Sequence, residues 1–402
     1  MNKLYYGWVI VAVGFLVNMA GLGFSRWAYA MLLSSMRTSL EFNYIQMGLL
    51  SGGILLGYLL FSLIGGALTT KFGAKRVVVA SLLCGFLSML FLSRLSSFVL
   101  LLFFSFAMGA SGGGVHISMT TLSMAWFEKK RRGRALGVVT GGTGLGIVFT
   151  GLLLPYLLST LGGDAWRHCW ALLALITLVV VFMGFVLLKD KPNVSPSASA
   201  DPVERSILPI QAKKSGLTLR VIIIHYFIFG FAYNIYATYF ATYMVDEVLV
   251  PGKTAGFIWS IFGWTCLASG LIWGFLSDRL GRGKALFWNN VIISIAVLLP
   301  LVFTQAISLG LSSFLFGMAF LGTVTIVAAC VGDLLMEKAA TVYGLITLIH
   351  GIGQFLGTTW GGYLKDLTGS FQITLLSSLL GFLFCLALIL ICGTGEKNSP
   401  SL

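Results

Sequence analysis

Very few side chains in this 402-residue chain could do chemistry with charge in an apolar setting. Arg26 is the one Lys or Arg away from the ends of a long apolar stretch, and Asp333 the one acid within one. An embedded guanidinium costs about 2.5 to 3.5 kcal/mol, so such a group normally faces a wet cavity or a partner. Its natural chemistry there is recognition of an anion. Asn18, Ser25 and Tyr29 share a helical face with Arg26 and give it a polar stripe. A second stripe, Tyr343, Thr347, His350, Gln354 and Thr358, runs at i, i+4, i+7, i+11 and i+15. A third joins His225, Tyr233 and Tyr236, with Asn234 alongside, and His116 follows three glycines. Phenols, amides and imidazoles suit hydrogen bonding to a small polar solute inside an apolar wall. The histidines are also the groups able to carry a proton near neutral pH. Plainer roles are open for each: Arg26 could snorkel to outer headgroups six residues away, the tyrosines could form an interfacial belt, and the histidines could be packed hydrogen-bonders.

The elements that must position these residues are membrane spans. With 57% hydrophobic and 10% charged residues and a mean hydropathy of +0.95, the chain lies far outside soluble composition. Windows long enough to cross a bilayer recur at 7–32, 46–69, 76–95, 98–125, 134–160, 168–188, 218–244, 254–277, 285–304, 308–334, 341–363 and 371–393. With the N-terminus inside, twenty of the 26 Lys and Arg fall on the cytoplasmic side, whereas Arg37, Arg94, Arg167, Lys253 and Lys365 fall outside. That bias places both termini in the cytoplasm and accounts for the net charge of +13 without a nucleic-acid partner. A segment at 190–217 holds four of the eight prolines and cannot bury a core. It divides an N-terminal six-helix bundle, 1–189, from a C-terminal one, 218–402. The expected fold is therefore all-α, with 12 transmembrane helices in two pseudo-symmetric bundles.

The halves repeat. Gly66, Gly73 and Gly109 match Gly274, Gly281 and Gly317 at a shift of 208, and Gly137, Gly144 and Gly146 match Gly344, Gly351 and Gly353 at 207. Parallel repeats of this kind bring a substrate site to mid-depth between the halves. The loop after the eighth stretch reads Gly274-Phe-Leu-Ser-Asp278-Arg279-Leu-Gly281-Arg282. The loop after the second reads Gly66-Ala-Leu-Thr-Thr70-Lys71-Phe-Gly73-Ala-Lys75-Arg76, with Thr70 in the place of the acid. An acid and a base at such helix ends can latch the cytoplasmic side, so Asp278, Arg279, Arg282, Lys71, Arg76 and Asp333 are the expected gating residues. The six cysteines show no CxxC spacing, no GxxxxGK[ST] is present, and no cofactor, metal or enzymatic reaction is expected.

Twelve spans in two halves with the G-x-x-x-D-[RK]-x-G loop resemble the major facilitator superfamily over essentially the whole chain. Tyr6-Gly7-Trp8, the run from Trp126-Phe127 to Gly137, and Gly362 to Asp366 with Gly369 are similar to the branch of monocarboxylate transporters and oxalate/formate exchangers. Gly23-Phe-Ser-Arg26-Trp-Ala-Tyr29, with Tyr58 after Gly57, resembles an uncharacterised bacterial branch more closely. The resemblance implies a charge in span 1 where Arg26 stands, and His350 where the exchangers carry a Lys after a Tyr-Gly pair. The branch's span 8 arginine is replaced by Gly270. It implies a monomeric carrier of the cytoplasmic membrane that moves a small organic anion by alternating access, coupled to protons or by exchange. Efflux of lipophilic compounds is the alternative within transport, and a transport-silent sensor or lipid-binding protein the alternative outside it.

Overall fold

The computed structural model describes residues 3–190, 219–335 and 339–393, and every regular element among them is helical. The first span, α1, covers 3–40 without a break: Lys3–Asn18 is α-helical, Met19–Trp27 is π-helical, and Ala28–Leu40 is α-helical again. There follow α2 (Tyr44–Phe72), α3 (Ala74–Leu92), α4 (Phe98–Trp126), α5 (Lys129–Leu161) and α6 (Ala165–Leu187). The second half contributes α7 (Leu219–Asp246), α8 (Gly252–Leu280), α9 (Arg282–Val302), α10 (Ala306–Leu335), α11 (Ala339–Thr368) and α12 (Phe371–Gly393). Eleven of the twelve are long and apolar enough to cross a membrane. The one outside that count is α11, which carries the polar stripe read from the sequence. Apart from Asp190, the segment expected to be a linker lies outside the described residues.

Several helices overrun the hydropathy windows because a helix ends at a breaker or a cap, not where polarity begins. The first window closes at 32, but α1 continues to Leu40 and stops only where Glu41 takes a left-handed conformation, φ 56°. Arg37, expected in a loop, is therefore in the last turn of α1. Two residues later α2 begins with a capping box: Asn43 Oδ1 accepts from the Gln46 backbone at 2.8 Å, and the Gln46 side chain accepts from the Asn43 backbone at 3.0 Å. The α2–α3 and α8–α9 corners turn on Gly73 and Gly281, at φ 87° and 88°, where a side chain would be strained. The matched conformation gives the 208-residue repeat a structural counterpart.

Small residues set the helix spacing. A Cβ on Gly57 would lie 2.0 Å from the Phe106 carbonyl oxygen, and one on Gly109 would lie 1.8 Å from that of Ile54, so α2 and α4 meet backbone to backbone. Large apolar side chains such as Phe103, Phe182, Leu271 and Ile391 are exposed, as suits a protein whose surroundings are hydrocarbon. The helices group into two compact units, Met1–Ala200 with Ala241–Gly263, and Asp201–Phe240 with Trp264–Leu402. The division at the linker is crossed in one place: the outer ends of α7 and α8 and the turn between them belong with α1–α6.

Candidate functional site

In the first unit the π-helical segment of α1 carries Arg26 in its last turn. A π-turn widens the helix and recurs at functional sites, and here glycines make room for it. A Cβ on Gly23 would lie 2.7 Å from Gly146 Cα of α5, and one on Gly21 would lie 2.8 Å from Val115 of α4. The Arg26 guanidinium carbon lies 5.2 Å from the Trp27 ring centre and 5.9 Å from that of Tyr58 on α2. The Tyr58 ring in turn stands 6.4 Å from the His116 ring of α4, tilted by 48°. A cation, a phenol and an imidazole from three helices thus share one cluster. His116 Nδ1 is buried without a hydrogen-bond partner, and so is Asn18 Oδ1 at the start of the π-segment, although Asn18 Nδ2 donates to the Gly14 carbonyl at 3.1 Å. Tyr29 is used differently from the sequence expectation, since its hydroxyl donates to the Met47 carbonyl at 2.7 Å and ties α1 to α2. The sequence reading allowed Arg26 six residues to the end of its span. The helix runs to Leu40, so at 1.5 Å per residue Arg26 sits about 21 Å from the helix end.

The second unit gathers an aromatic stack around His350. The ring of Tyr226 lies 4.0 Å from it at 9°, Tyr233 5.6 Å at 18° and Phe229 5.9 Å at 15°. His350 Nδ1 is 2.8 Å from the Tyr226 carbonyl, which can only accept, so that nitrogen carries the proton. Gly230 permits this approach, because a Cβ there would lie 2.5 Å from the His350 carbonyl. Asn234 Nδ2 donates to the Gln354 carbonyl at 3.2 Å, so α7 and α11 are joined at two levels. Tyr236 is fully buried and its hydroxyl shares a hydrogen bond of 2.7 Å with Ser312 of α10. His225 is fully buried as well: its Nε2 meets Asn290 Nδ2 of α9 at 3.0 Å, while His225 Nδ1 and Asn290 Oδ1 find no partner. Tyr343 is half-buried and its carbonyl accepts from Thr347 at 2.8 Å. The residues expected to line a cavity from α7 are thus engaged with α9, α10 and α11.

The loop motif of the second half is assembled. Arg282 donates to Asp278 Oδ1 at 2.5 Å, to Ser277 Oγ at 2.7 Å and, through Nε, to Asp333 Oδ2 at 2.8 Å. It joins the α8–α9 corner to the end of α10. Arg279 points elsewhere, its guanidinium 4.1 Å above the Phe275 ring. Shifted back by 208, the triad becomes Thr70, Ala74 and Ala125, so the first half lacks all three partners. Lys71 lies over Phe72 at 5.3 Å and Arg76 is exposed. There a carboxylate from another helix end takes over: Asp190 Oδ1 accepts from the Lys75 backbone at 2.9 Å and caps α3.

Sequence reasoning gave Tyr58 no chemical role, and it passed over Tyr226, Asn290 and Asp190. For Tyr58 a signal was present, since a glycine directly before an aromatic marks a close helix contact. For Asp190 none was, because its partner is a backbone amide 115 positions away. Among the described residues no group of three His, Cys, Asp or Glu could hold a metal ion.

A family model described as Major Facilitator Superfamily matches residues 15–358. The hexuronate transporter of Bacillus subtilis (strain 168) is 25% identical over 365 residues, 83% of this chain and 82% of that protein. Human monocarboxylate transporter 11 is 25% identical over 394 residues, 93% of this chain and 80% of that protein. Among solved structures, an inward-facing, unoccupied bacterial homologue of the human lysosomal transporter Spinster superposes with a TM-score of 0.75 at 13% identity, covering 99% of each chain.

Proposed function

The chain belongs to the Major Facilitator Superfamily, and on that premise we propose that it is a secondary transporter carrying a small organic anion by alternating access. The observation that carries this reading is Arg26. A π-helical segment holds the guanidinium against the rings of Trp27 and Tyr58, well inside the longest helix of the first unit. Such a cation, kept at a cost in an apolar protein, is matched to a carboxylate, which it can grip with two parallel N–H donors. Tyr58 and His116 add a hydroxyl and an imidazole beside it, and Asn18 a buried amide. Two relatives are named for hexuronate and monocarboxylate, both organic carboxylates, which supports the same class of cargo.

The remaining sequence candidates take supporting parts. His350, Tyr233, Asn234 and Gln354 hold α7 against α11, and Arg282 with Asp278 and Asp333 latches the cytoplasmic corner of the second half. Two coupling modes fit the residues: exchange of one anion for another, or entry of a proton with the anion on a histidine such as His116. The protein works as a multi-pass carrier of the cytoplasmic membrane with both termini inside, and as a monomer.

Flux in proteoliposomes tests this directly. Uptake of a radiolabelled monocarboxylate such as lactate or pyruvate, or its exchange against an internal anion, is expected in wild type and abolished in Arg26→Gln. Transport of neutral or cationic solutes unaffected by Arg26→Gln, with no anion carried, would overturn the proposal.

A further inference from the structure

The turn between α7 and α8 is tied to the rest of the first unit by three kinds of contact, one at the tip and two deeper along the helices. At the tip, Asp246 closes α7 and is gripped by two hydroxyls from different helices. Ser34 of α1 donates to Asp246 Oδ1, and Tyr44, the first residue of α2, donates to Oδ2 at 3.2 Å. The Arg37 guanidinium lies 4.6 Å above the Tyr44 ring and braces the phenol from the other side. Deeper, an aromatic layer joins α1 to α8: Trp27 meets Phe262 edge-on at 5.2 Å and Trp259 at 6.3 Å, and Trp259 and Phe262 touch each other at 5.1 Å. Alongside runs a seam between α5 and α8 where glycines bring the two backbones together, with the side chains of Ser260, Pro155 and Val148 packed against them. A Cβ on Gly256 would lie 2.1 Å from the Gly151 carbonyl, one on Gly151 2.8 Å from the Gly256 carbonyl, and one on Gly263 2.9 Å from the Gly144 carbonyl. Ser260 Oγ, on the same face, lies 3.3 Å from the Val148 carbonyl and 2.8 Å from its own Gly256 carbonyl.

From these contacts we infer that Asp246, Ser34 and Tyr44 are the external latch of the carrier, closing over the aromatic layer and the α5–α8 glycine seam. The division of labour follows from the chemistry of each layer. The seam is shape without bonds: glycines let two backbones touch, and separating them breaks one weak side-chain hydrogen bond. The aromatic layer supplies an apolar plug that includes Trp27, the ring on which the Arg26 guanidinium rests. Neither layer fixes whether the helices are together or apart. Asp246 does, because a carboxylate that satisfies both oxygens on hydroxyls of two other helices exchanges good partners for water when the ends separate. It is half-buried, so that exchange is possible in both directions. The cytoplasmic side of the second half uses an Arg between two Asp, whereas the external latch pairs one Asp with neutral donors. Its strength is set by hydroxyl donors that can be removed one at a time.

The latch rests on the transporter reading, but not on the cargo being an anion. The test uses the full chain in right-side-out vesicles, with Phe262→Cys as a reporter beneath the latch and a membrane-impermeant maleimide added outside without substrate. Labelling is read at that position by peptide mass spectrometry. In the reporter alone, modification is expected to be slow. Adding Asp246→Ala should speed it by about tenfold or more, the population shift that loss of a charge-assisted contact implies. Ser34→Ala and Tyr44→Phe should each give part of that increase. Gly256→Val, which cannot fit against the Gly151 carbonyl, should give the largest effect, and Asp246→Ala remains decisive if that variant does not fold. Equal labelling rates with and without Asp246 would overturn the latch. Faster labelling in a protein that binds no anion would leave the latch standing and remove the proposed cargo instead.

Discussion

Replacing Arg26 by Gln should weaken anion binding, and the response to ligand distinguishes a ligand-binding guanidinium from a structural one. In the ligand-free protein the substitution gives up contacts that include two rings, at 5.2 and 5.9 Å, each worth about 0.5 to 1 kcal/mol. It also removes an embedded charge whose placement costs about 2.5 to 3.5 kcal/mol. The two effects oppose each other, so the decisive reading is the stabilisation that ligand adds and not the ligand-free melting temperature. In the bound state the variant loses a charge-assisted contact worth about 1.5 to 3 kcal/mol, a fall in anion affinity of roughly 10- to 150-fold. Arg26→Lys keeps the charge but not the planar fork, and should fall between the two. The assay is thermal unfolding of purified protein against a series of monocarboxylates, dicarboxylates and uncharged analogues, where stabilisation by ligand reports binding. An Arg26→Gln protein that is still stabilised by the same anion at the same concentrations would refute the reasoning.

Other consequences follow from the same geometry. Asp278→Thr removes one of the two carboxylates on Arg282 and should impair transport, while the mirror change Thr70→Asp should alter stability by no more than about 0.5 kcal/mol, because Ala74 and Ala125 offer the new acid no base; flux measured on both variants in parallel checks the asymmetry. His350→Ala should cost at least about 2 kcal/mol of stability, the part that the hydrogen bond to the Tyr226 carbonyl and the tightest ring stack alone supply. Its effect on anion affinity should be smaller than that of Arg26→Gln, which titration of the two proteins side by side will show. At the outer turn before α6, the Ser39 hydroxyl holds the Asp164 carboxyl below its ordinary range, with slight burial opposing and Arg167 assisting. A carboxyl lowered on folding stabilises the protein above the unfolded-state value near pH 4, and that contribution is lost as the pH falls through the lowered folded-state value. Asp164→Asn should therefore lower the neutral plateau of melting temperature against pH and converge on wild type in acid, which flattens the acid limb.

Architecture was legible in the sequence because lipid imposes a simple grammar: apolar length gives spans, and glycine spacing gives the repeat. The loop signature located Asp278 and Arg282, and its place as the one acid within a span located Asp333; the fold does bring these three together, though not Arg279, a second arginine of the same motif. Helical periodicity placed Tyr233, Tyr236 and His350 on consistent faces. It could not say what those faces meet, and each is met by another helix of the same unit. Hydropathy windows also shortened α1, since polarity marks where lipid ends and not where a helix does.

What resisted reading was everything that depends on two backbones touching. The π-helical segment of α1 has no local signature beyond its glycines. Its widening is decided by Gly146 and Val115, which are more than 90 positions away and exert their effect only once α4 and α5 are in place. The external seam is similar: Gly151 and Gly256 are unremarkable in sequence, yet a single methyl on either would collide with the other's carbonyl. These contacts carry the functional asymmetry of the molecule. The inner side of the second half is held by an Arg–Asp triad that a motif can reveal, and the outer side by glycines, rings and one Asp on two hydroxyls, none of which forms a motif. A carrier must be able to release either side, and bonds of different strength at the two ends set which side opens first. Strengthening the outer latch, for example with Ser34→Lys to pair Asp246 with a full charge, should slow exchange while leaving binding from the inside intact. Counterflow and equilibrium binding measured on the same preparation will separate the two, and unchanged exchange alongside unchanged binding would mean that the outer end does not govern turnover.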